Sequence, residues 1–236
     1  MGNSDEKPSA AQKTAAEFIG TFIVTLAATC VDVLYYSTHQ VDYVSRWLAR
    51  GFITAVVIYA LSEISGAHID PAITLGFTLR RIFPPVLMLA YWVAQFAGAF
   101  AAAGLALAAF GGAMVLGASH PGPNVPAFEA VVCEVVLTAI VMLTILTTAE
   151  EKASVGKEAA LAVGLAVAAC GFFGGPISGA SMNPARSIAP QILGAEFGLV
   201  WIYVAGPALG AALAVLIHGF LCGAPNRGER QAAKGK

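Results

Sequence analysis

Long apolar stretches separated by short polar ones set the first expectation for this chain. Six of them, at about residues 15–36, 44–64, 84–110, 127–149, 158–176 and 199–221, approach or exceed the roughly 20 helical residues that cross about 30 Å of hydrocarbon. Two shorter apolar pieces, Pro71–Leu79 and Pro184–Leu193, are left over between the spans. About nine helical residues cover only some 14 Å, too little to cross. Each piece begins with proline, which suits a first helical position because that N–H has no partner there. Each also follows a glycine-containing approach, SGAHID at 65–70 and SGASMN at 178–183. The pattern predicts two re-entrant half-helices capped by Asp70 and Asn183.

An internal repeat turns these elements into an architecture. ISGAHIDPAITLG (64–76) aligns with ISGASMNPARSIA (177–189) at an offset of 113, which also pairs Gly51 with Gly164. An offset of 112 pairs Tyr91 and Gly98 with Tyr203 and Gly210, and one of 117 pairs Glu17 with Glu134. Two copies of one unit, about 14–115 and 127–222, are expected within a single transmembrane domain over 1–236, with polar termini 1–13 and 223–236. Three spans per copy is an odd number, so the second copy enters the bilayer inverted and the half-helices meet near its midplane. Non-helical backbone at that depth is tolerated only where it is packed in protein or lines a water-filled cavity. The runs Asp70-Pro71-Ala72 and Asn183-Pro184-Ala185 are therefore expected at a pore or a substrate site. The fold class is all-α transmembrane: six membrane-spanning helices plus two re-entrant half-helices in an inverted internal repeat.

Composition agrees with a membrane setting. The 236 residues are 58% hydrophobic and 11% charged, against about 25% charged in soluble domains. A net charge of -1 gives no reason to expect nucleic acid as a partner. With the N-terminus cytoplasmic, ten of thirteen Lys and Arg residues fall on the inner side: Lys7, Lys13, Arg80, Arg81, Lys152, Lys157, Arg227, Arg230, Lys234 and Lys236. Arg46, Arg50 and Arg186 are the remainder, and this positive-inside bias puts both termini in the cytoplasm. The first span is long, carries Glu17 and precedes five others, which argues against a cleaved signal peptide. MGNSDE at the start lacks the Ser/Thr that myristoylation favours at position six. Cys30, Cys133, Cys170 and Cys222 lie singly in apolar runs without metal-ligand spacing, as small buried hydrophobes do.

Catalytic signatures such as G-x-S-x-G, H-E-x-x-H and a phosphate-binding Gly-Lys loop do not occur, so neither enzyme nor cofactor is expected. A secondary transporter is the stronger rival to a channel. Inverted repeats, broken helices and a midplane acid at Asp70 also fit an ion-coupled carrier. A carrier saturates, whereas a channel responds nearly linearly to the solute gradient.

The double motif at this spacing resembles that of the major intrinsic proteins, the aquaporins and aquaglyceroporins. Their repeated S-G-x-x-x-N-P-A stands here as SGAHIDPA (65–72) and SGASMNPAR (178–186), and the resemblance covers about residues 14–222. The passage GPISGASMNPAR (175–186) looks most like plant nodulin-type members and their bacterial relatives. The resemblance implies a homotetramer with one pore per subunit in a plasma or inner membrane, passing water and small uncharged solutes such as polyols or metalloid hydroxides. It implies that Asn183 caps its half-helix while offering an amide N–H to the permeant, with Asp70 in the matching position. Arg186 matches the filter arginine, and counting back from the motifs puts Arg50, Gly171 and Ala180 at the other filter positions.

Small residues at Gly171 and Ala180 resemble solute-conducting members more than strict water channels. Arg50 leaves alternatives: it narrows the filter, swings aside to bond solute oxygens, or snorkels to the outer interface. Glu17 and Glu134 are intramembrane acids beside loops rich in backbone N–H groups, and their repeat symmetry favours braces over a proton relay. His68 reads as a pore-lining or bracing residue, since no second ligand stands at metal spacing. Asp70 departs from the motif asparagine. Ionised, it offers no donor and offsets the positive helix ends that help exclude cations; protonated, its O–H replaces the missing donor.

Overall fold

The computed structural model describes residues 7–149 and 157–235, so Lys152 and Lys236 lie outside the described residues. Among the described residues the six long helices are α1 (Ala10–Thr38), α2 (Tyr43–Ser65), α4 (Pro85–Phe110), α5 (Ala127–Thr148), α6 (Lys157–Ser178) and α8 (Ile202–Cys222). Between them lie the half-helices α3 (Pro71–Leu79) and α7 (Pro184–Leu193). The long ones meet the length and hydropathy required of a membrane span, and both half-helices keep their expected limits. Helix α1 starts earlier than its apolar run because Ser9 and Gln12 close a capping box, with Ser9 N–H donating to Gln12 Oε1 at 2.8 Å. Two further elements were not expected: a 3-10 segment, Gly111–Gly117, and the short α9 (Arg227–Ala232).

The repeat appears as paired packing. Helix α1 runs along α4, α5 along α8, and α2 crosses α6. A Cβ on Gly98 would stand 2.3 Å from the Phe18 carbonyl oxygen, and one on the repeat-related Gly210 would stand 2.4 Å from that of Val135. Gly51 and Gly164 face each other, each 2.4–2.5 Å from the other's carbonyl oxygen by the same measure. Such close approach of backbones is how helices associate where lipid removes the hydrophobic drive between them. Large apolar side chains point outward instead, with Val86 80% and Phe220 89% exposed. An apolar exterior around a small-residue interior fits hydrocarbon as solvent.

Helix α9 folds back under the first half-helix. Asn226 caps it in a box with Glu229, whose carboxylate receives Arg80 Nε at 2.8 Å and Nη2 at 3.1 Å. Both side chains of this ion pair are buried. Beyond α9, the Ala233 carbonyl accepts from His68 Nε2 at 3.0 Å, and a Cβ on Gly66 would lie 2.7 Å from the Ala232 oxygen. The segment therefore packs directly on the first re-entrant loop.

Candidate functional site

The two half-helices start in the same way. Asp70 and Asn183 are both extended, at φ of -157° and -141°, and each precedes a proline in the first turn. Asp70 Oδ1 accepts from Ala72 N–H at 2.7 Å, and Asn183 Oδ1 accepts from Arg186 N–H at 3.2 Å. Asn183 Nδ2 then donates to the Ile69 carbonyl at 2.9 Å, tying the second motif to the first. Asp70 has no amide with which to return that bond, so the junction is asymmetric.

Each approach loop holds two non-glycine residues in the left-handed region: Ala67 and Ile69 at φ 45° and 48°, Ala180 and Met182 at 43° and 58°. A β-branched Ile69 there is an unusual conformation that the surroundings must enforce. Glu17 does so by accepting from Ser65 Oγ (2.7 Å), His68 N–H (2.9 Å), Ile69 N–H (2.6 Å) and Gln95 Nε2 (2.7 Å). In the second copy, Glu134 accepts from Ser178 Oγ (2.6 Å), Ser181 N–H (2.8 Å) and Met182 N–H (2.7 Å). Tyr91 and Tyr203 hydroxyls complete the correspondence on the carbonyls of Ser65 and Ser178, at 2.8 and 2.7 Å. With all carboxylate oxygens engaged inside the protein, both acids have the geometry of braces. His68 is tied at both nitrogens, to Thr74 Oγ1 at 3.1 Å and to the Ala233 carbonyl at 3.0 Å. A carbonyl only accepts, so the proton sits on Nε2.

A narrow cavity runs past this junction. It has about 90 Å³ of space for water-sized molecules, enough for roughly a handful of waters in file. Ala67, His68, Ile69 and Asp70 line one stretch; Ala180, Ser181, Met182 and Asn183 line the next; Arg50 and Arg186 also border it. The remaining wall is largely aliphatic, including Val24, Ile58, Val141 and Val163.

Three of the four residues expected at the filter, Arg50, Ala180 and Arg186, thus border this cavity. At the fourth, Gly171, a Cβ would stand 2.1 Å from Cε3 of Trp47. The missing side chain makes room for the buried indole, as does Gly175. Arg50 is 5% exposed and does not snorkel to an interface. Its guanidinium lies 4.4 Å from the Trp47 ring centroid and pairs with Asp32.

Asp32, on α1, is the residue that sequence reading missed. Its Oδ1 accepts from Arg46 Nε at 2.6 Å, while Oδ2 receives both Arg50 Nη2 and, at 2.8 Å, Arg186 Nη2. All four side chains are nearly inaccessible. Arg186 is further held by the Ser119 hydroxyl, which follows the 3-10 segment and also contacts Ser187 at 2.6 Å. The signal for Asp32 was present: an acid inside an apolar span, with arginines 14 and 18 positions on, is a marked feature in a membrane chain.

Comparison with known proteins follows the same lines. The profile described as "Major intrinsic protein" matches residues 4–218. The chain is 36% identical over 217 residues to a Zea mays protein named Aquaporin NIP2-2, covering 91% of this chain and 72% of the relative. It is 38% identical over 204 residues to Aquaporin NIP1-3 of Oryza sativa subsp. japonica, covering 85% and 70%. The crystal structure of the aquaglyceroporin from Plasmodium falciparum superposes with a TM-score of 0.82 at 20% identity, covering 91% of this chain and 98% of that one. At that identity the likeness speaks for the fold.

Proposed function

The chain belongs to the major intrinsic protein family of membrane channels, and from that premise we propose that it is a passive pore for water and small uncharged solutes. The observation that carries this reading is the junction of α3 and α7, where Asp70 and Asn183 cap two helix starts on one narrow cavity. Each start contributes about half a positive charge, which opposes cations and turns water dipoles opposite ways on the two sides. An ion shedding its hydration shell would meet a largely aliphatic wall with few replacement ligands. Asn183 Nδ2 and the loop carbonyls supply the passing hydroxyls with a donor and acceptors.

Permeants in this reading are water, glycerol-like polyols and metalloid hydroxides such as arsenite or borate. Arg50, Gly171, Ala180 and Arg186 form the filter in this reading, with the Trp47 indole packed against Gly171. A homotetramer in a plasma or inner membrane with both termini cytoplasmic completes the proposal, on the family resemblance and the lysine and arginine distribution. Proteoliposome swelling with water and with glycerol, plus arsenite or borate uptake, tests it for the native protein and Arg50→Ala. If neither water nor any neutral solute moves faster than in empty liposomes, the channel reading fails. A second reading, a strict water channel, is favoured by one observation: Trp47 fills the space beside Gly171. Rapid water flux with glycerol at the empty-liposome rate would decide for it.

A further inference from the structure

The pore mouth at Arg50 and Arg186 carries more positive charge than a single filter arginine supplies. Among the described residues, Asp32 is the one carboxylate paired with Arg46, Arg50 and Arg186, so three guanidiniums against one acid leave two formal positive charges. Two of these cations share a single oxygen, Oδ2 of Asp32. Among the described residues Asp32 Oδ2 is the one oxygen bonded to both Arg50 and Arg186, and without it like charges in a poorly hydrated site repel. Arg46 lies over the rings of Tyr35, Tyr36 and Trp47 at 4.8, 4.9 and 4.5 Å and is absent from the cavity wall that Arg50 and Arg186 border.

The duplicated scaffold does not require this cluster. The repeat offset of 117 that relates Glu17 to Glu134 takes Asp32 to Ala149, and the offset of 113 takes Arg46 and Arg50 to Ala159 and Val163. Val163 lines the cavity as Arg50 does, so an apolar side chain stands at the position that repeats the buried arginine. The helices that carry Arg50 and Val163 pack on each other through Gly51 and Gly164, a contact that uses neither arginine nor acid. An ionic cluster confined to one mouth therefore belongs to selection rather than to folding.

We propose that Asp32 is a specificity-determining positioning residue, which pins Arg50 and Arg186 on one carboxylate to set the aperture and lowers the charge of the mouth enough to keep small anions out. The inference rests on the channel reading. It assigns Asp32 no direct contact with the permeant: its side chain is 1% exposed and every oxygen is taken by an arginine. Its action runs through the two guanidiniums that border the cavity.

Vesicles carrying the native protein, Asp32→Asn, and Asp32→Asn/Arg50→Gln test this, with water and glycerol followed by light scattering and chloride by an enclosed halide-sensitive dye. In Asp32→Asn the mouth gains one positive charge, and chloride flux should rise about tenfold. Glycerol flux should fall relative to water as the released Arg50 folds across the passage. The double variant restores the native count, two guanidiniums and no acid, and should bring chloride back to the native level while glycerol speeds up. A residue that merely stabilised the fold would not produce an anion leak that a second substitution abolishes. Unchanged chloride flux in Asp32→Asn overturns the proposal, and so does a leak that persists in the double variant. Should Asp32→Asn fail to fold, Asp32→Ser, which removes the same charge, takes its place on the same chloride criterion. Native vesicles no faster than empty ones for water and glycerol would overturn the channel reading and this inference together, a result distinct from either failure above.

Discussion

Replacing Gly51 with alanine probes the crossing of α2 and α6 and the filter at once. The added methyl would lie 2.4 Å from the Gly164 carbonyl oxygen and 2.7 Å from the Ala168 Cβ, whereas ordinary contact begins at 3.4 Å. The helices must separate by about 1 Å, and overpacking of this kind costs about 1–3 kcal/mol. The better helix propensity of alanine returns only about 0.5–1 kcal/mol. For a chain of this size each net kcal/mol lowers the melting temperature by about 2–4 °C. Intrinsic tryptophan fluorescence of the detergent-purified protein reads this directly. Gly104→Ala serves as the control, because its Cβ meets nothing within 4 Å, and the melting temperature there should rise. Gly164→Ala should cost about as much as Gly51→Ala, since each glycine meets the other's carbonyl. The double substitution should cost less than the sum, because one separation admits both methyls. A Gly51→Ala protein as stable as the native one, or strictly additive costs, would refute the close crossing.

Other outcomes follow from the same contacts. Glu134→Gln turns an amide donor toward Ser178, Ser181 and Met182, all donors to the native carboxylate, and should lose about 1–3 kcal/mol per stranded N–H; a melting temperature within 1–2 °C of native, roughly the effect of half a kcal/mol, would remove it from the bracing role. Asp70→Asn keeps the oxygen that caps Ala72 and should shift stability less than Asp70→Ala, which loses about 0.5–2 kcal/mol of cap, as chemical denaturation would show. If an ionised Asp70 is held in check by the arginines above it, Arg50→Ala vesicles leak sodium and adding Asp70→Asn suppresses the leak; no sodium flux in Arg50→Ala counts against that charge balance. Arg80→Ala strands the buried Glu229, a loss of about 3–5 kcal/mol, so trypsin should cut at Arg227 and Arg230 faster than in the native protein. Equal cutting rates would mean that α9 is not held by that pair.

Much of the fold was legible because the repeat ties local signals together. Proline after a capping residue fixed the start of α3 and α7, and a shared offset put both at one junction. The loops that bear Ala67, Ile69, Ala180 and Met182 were harder, since nothing in these residue types announces a left-handed backbone; the enforcing groups are carboxylates about fifty residues away in sequence. Gly171 is ambiguous in sequence for a related reason. A missing side chain says that something needs room, and the Trp47 indole is one group that packs into it. Helix α9 had a readable capping pattern in Asn226 and Glu229, but its position depended on a pairing between Arg80 and Glu229 that spans 149 residues. Asp32 was overlooked because it sits in an apolar run whose length alone explained it.

The bond between His68 and Ala233 also bears on how the protein is made. Its partners lie 165 residues apart, and chains are synthesised at only about 5–20 residues per second. The first re-entrant turn thus waits roughly ten to thirty seconds on the ribosome before one of its histidine nitrogens meets its acceptor. During that interval the early half of the chain must sit in the membrane with an unfinished loop, and the step that closes it waits for a segment translated 165 residues later.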